Sequence, residues 1–91
     1  MSATSFYPER TRYFFQSPST GNCVFLDYSF LSGRAALLFW NADEPDEAPD
    51  APKDPHDKGL AHALQAPYWD NQYELERELR ARQIDWTADN R

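Results

Sequence analysis

Residues that cross-link a chain or cradle a phosphate are scarce in this sequence. Cys23 is the only cysteine among the 91 residues, which excludes an intramolecular disulfide and a zinc site built from several cysteines. The three glycines are isolated from one another, so the sequence has no glycine-rich phosphate-binding loop. Disulfide-stapled domains, cysteine-based zinc modules and P-loop enzymes are therefore excluded.

Long apolar runs and a signal sequence are missing as well. The densest apolar stretch, residues 23–40, is interrupted by Asp27 and Arg34, so we expect no membrane span. Residues 1–10 lack the basic and then apolar pattern of a signal peptide. We therefore expect a cytoplasmic protein.

Positive charge is also in the minority, with nine Lys and Arg against 15 Asp and Glu and a net charge of −6. The absence of a basic stripe argues against direct nucleic-acid binding. Residues 42–58 hold seven acidic residues, two lysines and four prolines, so we predict an acidic, proline-rich loop. It lacks the spaced ligands and central glycine of a calcium-binding EF-hand. Such a loop either only solvates the chain or attracts a basic partner.

Three segments before this loop are typical of β-strands. Residues 10–16 alternate in polarity, and residues 23–30 place Val24, Leu26, Tyr28 and Phe30 on one face and Cys23, Phe25, Asp27 and Ser29 on the other. Residues 35–40 are apolar on both faces, and their shortness after a Ser-Gly turn favours a strand over a helix. Phe39 and Trp40 are expected in the core.

Two segments after the loop are typical of helices. Asp54 followed by Pro55 predicts a helix start, and the helix would run to about Gln65. Apolar residues between Tyr68 and Trp86 recur with helical spacing, which predicts a second, amphipathic helix with Asp70 as a possible N-cap.

The predicted fold class is α+β, a three-stranded antiparallel β-meander with one or two C-terminal helices packed on one face. A single small domain, 1–91, would comprise the β-meander (10–41), the acidic loop (42–58) and a helical segment (59–91). Helices should cover the face that carries Val24 and Leu26. The opposite face would then still carry Phe25 and Cys23, with Phe14 as a further candidate, and uncovered aromatic side chains often mark a contact surface with a partner or a second copy.

Residues that would support catalysis or bind a metal do not form a recognisable motif. Cys23 with His56 or His62 is a weak nucleophile–base candidate, and Asp54, Asp57 and the two histidines lack the same-face spacing of a helical metal site. We therefore predict neither catalytic residues nor a metal or other cofactor.

Asp27 is the one general acid–base candidate of interest, because it lies among apolar neighbours within a strand. The competing interpretation, which we favour, is that Asp27 faces solvent or pairs with Arg12 or Arg34 across the sheet.

These features favour a small acidic, non-enzymatic protein-binding module. Compact acidic domains of this size occur among phage inhibitors such as anti-CRISPR proteins and DNA mimics, so by analogy of size and charge the partner would be a basic nucleic-acid-handling protein. The alternative is a structural or regulatory homo-oligomer that pairs through its exposed sheet face. The predicted partner-binding residues are Asp43, Glu44, Asp46, Glu47, Asp50, Phe25, Trp69, Tyr73 and Trp86.

Overall fold

The computed structural model describes residues 9–40 and 52–90. Three strands follow one another along the chain: β1 (Arg10–Gln16), β2 (Cys23–Ser29) and β3 (Arg34–Trp40). Each pairs antiparallel with its neighbour, so the predicted meander and the strand assignment of its last segment are both confirmed.

A fourth strand, β4 (Thr87–Asn90), pairs antiparallel with the free side of β1 and gives the sheet the order β3-β2-β1-β4. The sequence interpretation placed these residues in a helical segment. Apart from Thr87, these residues are poor strand formers and do not alternate in hydrophobicity, so the strand depends on the partner strand that it meets.

The β2–β3 connection depends on a glycine in the left-handed region. Gly33 has a φ of +68°, and its N–H donates to the carbonyl of Ser29 at 2.8 Å, which closes the hairpin. Its carbonyl accepts from the N–H of Trp69 at 2.7 Å, so the turn also holds the segment between the helices. Phe30, predicted on the helix-covered face, lies beyond the end of β2 in this turn and is exposed.

Helix α1 (Pro55–Gln65) begins as the sequence predicts. Asp54 is the N-cap, its carboxylate accepts from the N–H of His56 at 2.9 Å, and Pro55 occupies the first helical position. Leu60 and Leu64 are buried in the core.

Helix α2 (Gln72–Ala81) is shorter than the apolar periodicity between residues 68 and 86 indicated. Its N-cap is Asn71 rather than Asp70, because the Asn71 side chain accepts from the N–H of Glu74 at 3.1 Å. The helix ends in a Schellman motif: Gln83 has a φ of +60°, and the N–H of Ile84 donates to the carbonyl of Leu79 at 3.0 Å.

The core lies between one face of the sheet and the two helices. Tyr13, Val24 and Leu26 are fully inaccessible to solvent on the sheet side, as are the leucines of the helices, Leu64, Leu75 and Leu79. The prediction that helices cover the Val24 and Leu26 face is therefore confirmed. Neither helix in the described part of the chain is long and apolar enough to cross a membrane.

Three buried polar side chains connect the core to the helices and are hydrogen-bonded. The hydroxyl of Tyr13 donates to Glu76 of α2, and that of Tyr28 donates to the carbonyl of Trp69, both at 2.7 Å. Asp57 of α1 is buried and accepts from the hydroxyls of Ser17 and Thr20 in the β1–β2 loop. Desolvation by burial, with the hydrogen bond to Glu76, raises the pKa of Tyr13 far above its ordinary value.

Candidate functional site: the open face of the sheet

The side of the sheet opposite the helices is the candidate site, and we call it the open face. Both helices direct their buried leucines into the other side, so neither α1 nor α2 covers it. Alternation along the three long strands and their register bring its side chains together. The open face includes Arg12, Phe14, Gln16, Cys23, Phe25, Asp27, Ala36, Leu38 and Trp40, and Thr87 and Asp89 of β4 extend it beside β1.

A row of three aromatic rings crosses this face from β1 to β3. The ring centroids of Phe14 and Phe25 are 4.6 Å apart with an interplanar angle of 80°, and those of Phe25 and Trp40 are 4.4 Å apart at 57°. Leu38 lies directly opposite Phe25 on β3 and is 36% exposed. The first pair is edge-to-face and the second is tilted, and both bring the rings into contact, so the row is a preformed apolar surface.

One ion pair borders the aromatic row. Arg12 donates to both carboxylate oxygens of Asp27, with Nε–Oδ1 at 2.6 Å and the second nitrogen–oxygen distance at 2.9 Å. The Arg12 guanidinium carbon also lies 5.4 Å from the centroid of the Phe25 ring. The hydrogen bond to Asp27 raises the pKa of Arg12 above its ordinary value. The predicted cross-strand pairing of Asp27 with Arg12 is thus confirmed.

The predicted partner-binding aromatics do not come together at one surface. Phe25 lies at the centre of the open face, whereas Trp69, Tyr73 and Trp86 lie on the helical side. Trp69 and Trp86 pack against the core. The indole N–H of Trp69 donates to the carbonyl of Leu64 at 3.0 Å, so its polar atom is already satisfied.

Trp86 meets the buried ring of Tyr13 edge-on at 6.2 Å and is covered on another side by the guanidinium of Arg80 at 5.5 Å. Tyr73 differs from both tryptophans, because it is 63% exposed on α2. These positions leave Tyr73 available to solvent and give the tryptophans a packing role.

The prediction that Trp40 lies in the core is wrong. It lies opposite Cys23 in the register of β2 and β3, which places it on the open face in contact with Phe25, whereas Phe39 is buried as predicted. Because residues 35–40 are apolar on both faces, the sequence alone does not show which of the two alternating sets of side chains faces the helices. Leu38 and Trp40 are the residues that the sequence interpretation did not place on this face.

The predicted acidic residues Asp43, Glu44, Asp46, Glu47 and Asp50 lie outside the described residues. In the sequence, Asp43 follows Trp40, the last residue of β3, by three residues.

The residues considered for catalysis and metal binding have separate environments. Cys23 is exposed on the open face, while His56 and His62 are exposed on α1. Asp54 caps α1 and Asp57 holds the β1–β2 loop. Among residues 9–40 and 52–90, no group of three or more histidine, cysteine or carboxylate side chains is arranged to hold a metal ion.

No protein family model matches this chain, and neither a curated protein nor a solved structure matches it. Function is therefore inferred from the surface chemistry of the described residues and from the charge of the sequence.

Proposed function

We propose that this protein is a small, non-enzymatic protein-binding module and that its open face is the contact surface. The observation that carries the proposal is the row formed by Phe14, Phe25 and Trp40, on the side of the sheet that α1 and α2 leave uncovered. Aromatic side chains at the centre of an interface commonly provide most of its binding energy. The paired Arg12 and Asp27 give the same surface a polar border.

The partner that fits this surface is a protein with an apolar patch flanked by lysine or arginine. Residues 42–50 contain five acidic residues and no basic residue, so they account for most of the net charge of −6. In the sequence they begin shortly after Trp40 of the open face. Acidic side chains this close along the chain would steer a basic partner and accelerate association at low ionic strength.

Within this class we propose an inhibitor of a basic nucleic-acid-handling protein, acting in the cytoplasm. The role would be of the phage anti-CRISPR or DNA-mimic type, in which carboxylates occupy a groove that otherwise holds phosphates. Size and negative charge support this narrower proposal by analogy.

The experiment that tests the proposal is affinity capture from host lysate with nuclease present and over a series of salt concentrations. Wild type is compared with Phe25→Ala and with Tyr73→Ala, which removes an equally aromatic but helix-side residue. The expected result is one stoichiometric partner that resists nuclease, is lost with Phe25→Ala and is retained with Tyr73→Ala. Equal capture by Phe25→Ala and wild type would exclude the open face.

Cys23 offers a second readout without any substitution. Its thiol is exposed on the open face near Trp40, so a bound partner should slow its alkylation. Unchanged alkylation in a stoichiometric complex would show that the partner binds elsewhere.

The acidic segment is tested separately by reversing the charge of Asp43, Glu44, Asp46 and Glu47. Weaker binding with a flatter salt dependence is expected, because fewer charges then steer the encounter. An unchanged salt dependence would remove the segment from the proposal and leave the aromatic row.

The second candidate is a homo-oligomer paired through the same open face, favoured by the exposed Leu38 beside Phe25. Light scattering distinguishes the two. An oligomer that Phe25→Ala converts to monomer would support self-pairing, whereas a mass unaffected by Phe25→Ala would exclude it.

A further inference from the structure

Strand β3 lies at an edge of the sheet that the described residues form. In the order β3-β2-β1-β4, no strand among the described residues pairs with the outer side of β3. Sheet edges are normally blunted by charge or proline, because unpaired N–H and C=O groups recruit further strands. After Arg34, every residue of β3 is apolar, so this edge lacks that protection.

The sequence of β3 is complementary to itself when two copies run antiparallel with Leu37 opposite Leu37. Each alanine then meets a large residue of the other copy: Ala35 lies opposite Phe39, and Ala36 opposite Leu38. Residues directly opposite in antiparallel strands share a face and contact each other. Small side chains would therefore alternate with large ones along the pair without steric conflict.

The same register is favourable for charge. It sets Arg34 opposite Trp40 of the second copy, a pair suited to a cation–π contact once the guanidinium leaves the carbonyl of Ala66, to which it donates at 3.3 Å. The two Trp40 residues stand at opposite ends of the pair, about 20 Å apart at 3.4 Å per residue. The two Arg34 residues are likewise about 20 Å apart, farther than the Debye length at physiological ionic strength.

We propose that β3 pairs with β3 of a second copy of this chain, antiparallel and with Leu37 at the two-fold axis. The product is a symmetric dimer with an eight-stranded sheet and one continuous open face. A single seven-residue strand pair buries less than about 1,000 Å², so the dimer is a reversible, concentration-dependent one. The proposal is independent of the partner proposed above.

Disulfide trapping tests the register. In a Cys23→Ser background, Ala36→Cys and Leu38→Cys are purified separately, then mixed and oxidised. Opposite residues have Cα atoms about 4.5–5.5 Å apart, within the range of a disulfide, whereas diagonal neighbours are about 7–8 Å apart. The mixture is expected to form a covalent dimer, and each variant alone is not.

Sedimentation velocity over about a hundredfold dilution tests the equilibrium. Wild type should shift from dimer toward monomer, and Ala36→Lys, which puts a charge on the exposed edge, should remain monomeric. Ala36 is exposed, so the variant should keep the wild-type circular dichroism spectrum. Tyr73→Ala serves as the control, because Tyr73 is exposed on α2 and its loss should leave the dimer intact.

Salt distinguishes this proposal from the partner proposal. Screening weakens repulsion between two chains of charge −6, so the dimer should strengthen as salt rises, while a complex with a basic partner should weaken. A wild-type chain that stays monomeric throughout and forms no mixed disulfide would overturn the edge pairing. Equal trapping by Ala36→Cys alone would overturn the register.

Discussion

Replacing Gly33 by alanine should reveal how far one turn holds the sheet and the helical layer together. Gly33 has a φ of +68°, a conformation that costs a non-glycine residue about 1–2 kcal/mol. The smaller conformational freedom of alanine in the unfolded chain offsets about 0.4–1 kcal/mol of that cost. The backbone effect alone is then a loss of about 1 kcal/mol in the free energy of unfolding.

The added methyl group has a second consequence at this site. It would lie 2.5 Å from Cζ of the Tyr68 ring, so the ring must move. Tyr68 is 62% exposed and able to shift, but the hydrogen bond from the next residue, Trp69, to Gly33 is placed at risk. Overpacking and a weakened hydrogen bond add about 1–3 kcal/mol, for a total of about 2–4 kcal/mol.

Gly21 provides a matched control. It also has a positive φ, +76°, but a methyl group there would meet no atom within 4 Å. Urea unfolding followed by tryptophan fluorescence should therefore show a loss of about 1 kcal/mol for Gly21→Ala. In a Tyr68→Ala background, the loss for Gly33→Ala should fall toward the same value. An equal loss for the two glycines in the wild-type background would refute the reasoning.

Three further predictions concern the helices and the buried polar groups. Gln83→Gly should raise the free energy of unfolding by about 0.5–1 kcal/mol, because Gln83 has a φ of +60°, which glycine adopts without strain. A lower free energy of unfolding in urea would contradict this. Asp57→Ala should lower the free energy of unfolding by about 2–3 kcal/mol, because the hydroxyls of Ser17 and Thr20 lose their buried acceptor. The control, Asp54→Ala, removes only the N-cap of α1 and should lower it by about 1 kcal/mol in the same assay. The folded-state pKa of Tyr13 is raised above its ordinary 10.0, so the unfolded state loses this proton first and stability falls as pH rises through 10. In Tyr13→Phe, the free energy of unfolding should fall less steeply between neutral and alkaline pH than in wild type. The same pH dependence in both proteins would exclude Tyr13 as the cause.

The three long strands and the start of α1 were predictable because their causes are local. Alternation sets the faces of β1 and β2, and Asp54 with Pro55 marks a helix start. The fourth strand was not predictable, since its four residues have weak preferences and pair only because β1 has a free side there.

The end of α2 and the place of Trp40 were missed for different reasons. A glutamine at position 83 gives no sign of a left-handed cap, which is usually a glycine. Trp40 belongs to a run that is apolar on both faces, and only its register with Cys23 assigns it to the open face. The face of Phe25 was predictable, because the alternation of β2 directs it away from the side that Val24 and Leu26 share.

Two effects of Phe25→Ala, the loss of stability and the loss of binding free energy, show whether the open face serves binding or folding. In the isolated chain this ring contacts Phe14, Trp40 and the Arg12 guanidinium, and aromatic pairs contribute about 0.5–1.5 kcal/mol each. Phe25→Ala should therefore lower the free energy of unfolding by about 1–3 kcal/mol, less than the roughly 3–5 kcal/mol typical of a fully buried phenylalanine. A central interface anchor loses about 2 kcal/mol or more of binding free energy when truncated, close to thirtyfold in Kd. If the variant still folds and binding weakens on that scale, the aromatic row serves to bind a partner. If affinity is unaltered and the free energy of unfolding falls by about 4 kcal/mol or more, as for a core residue, the row serves to stabilise the fold.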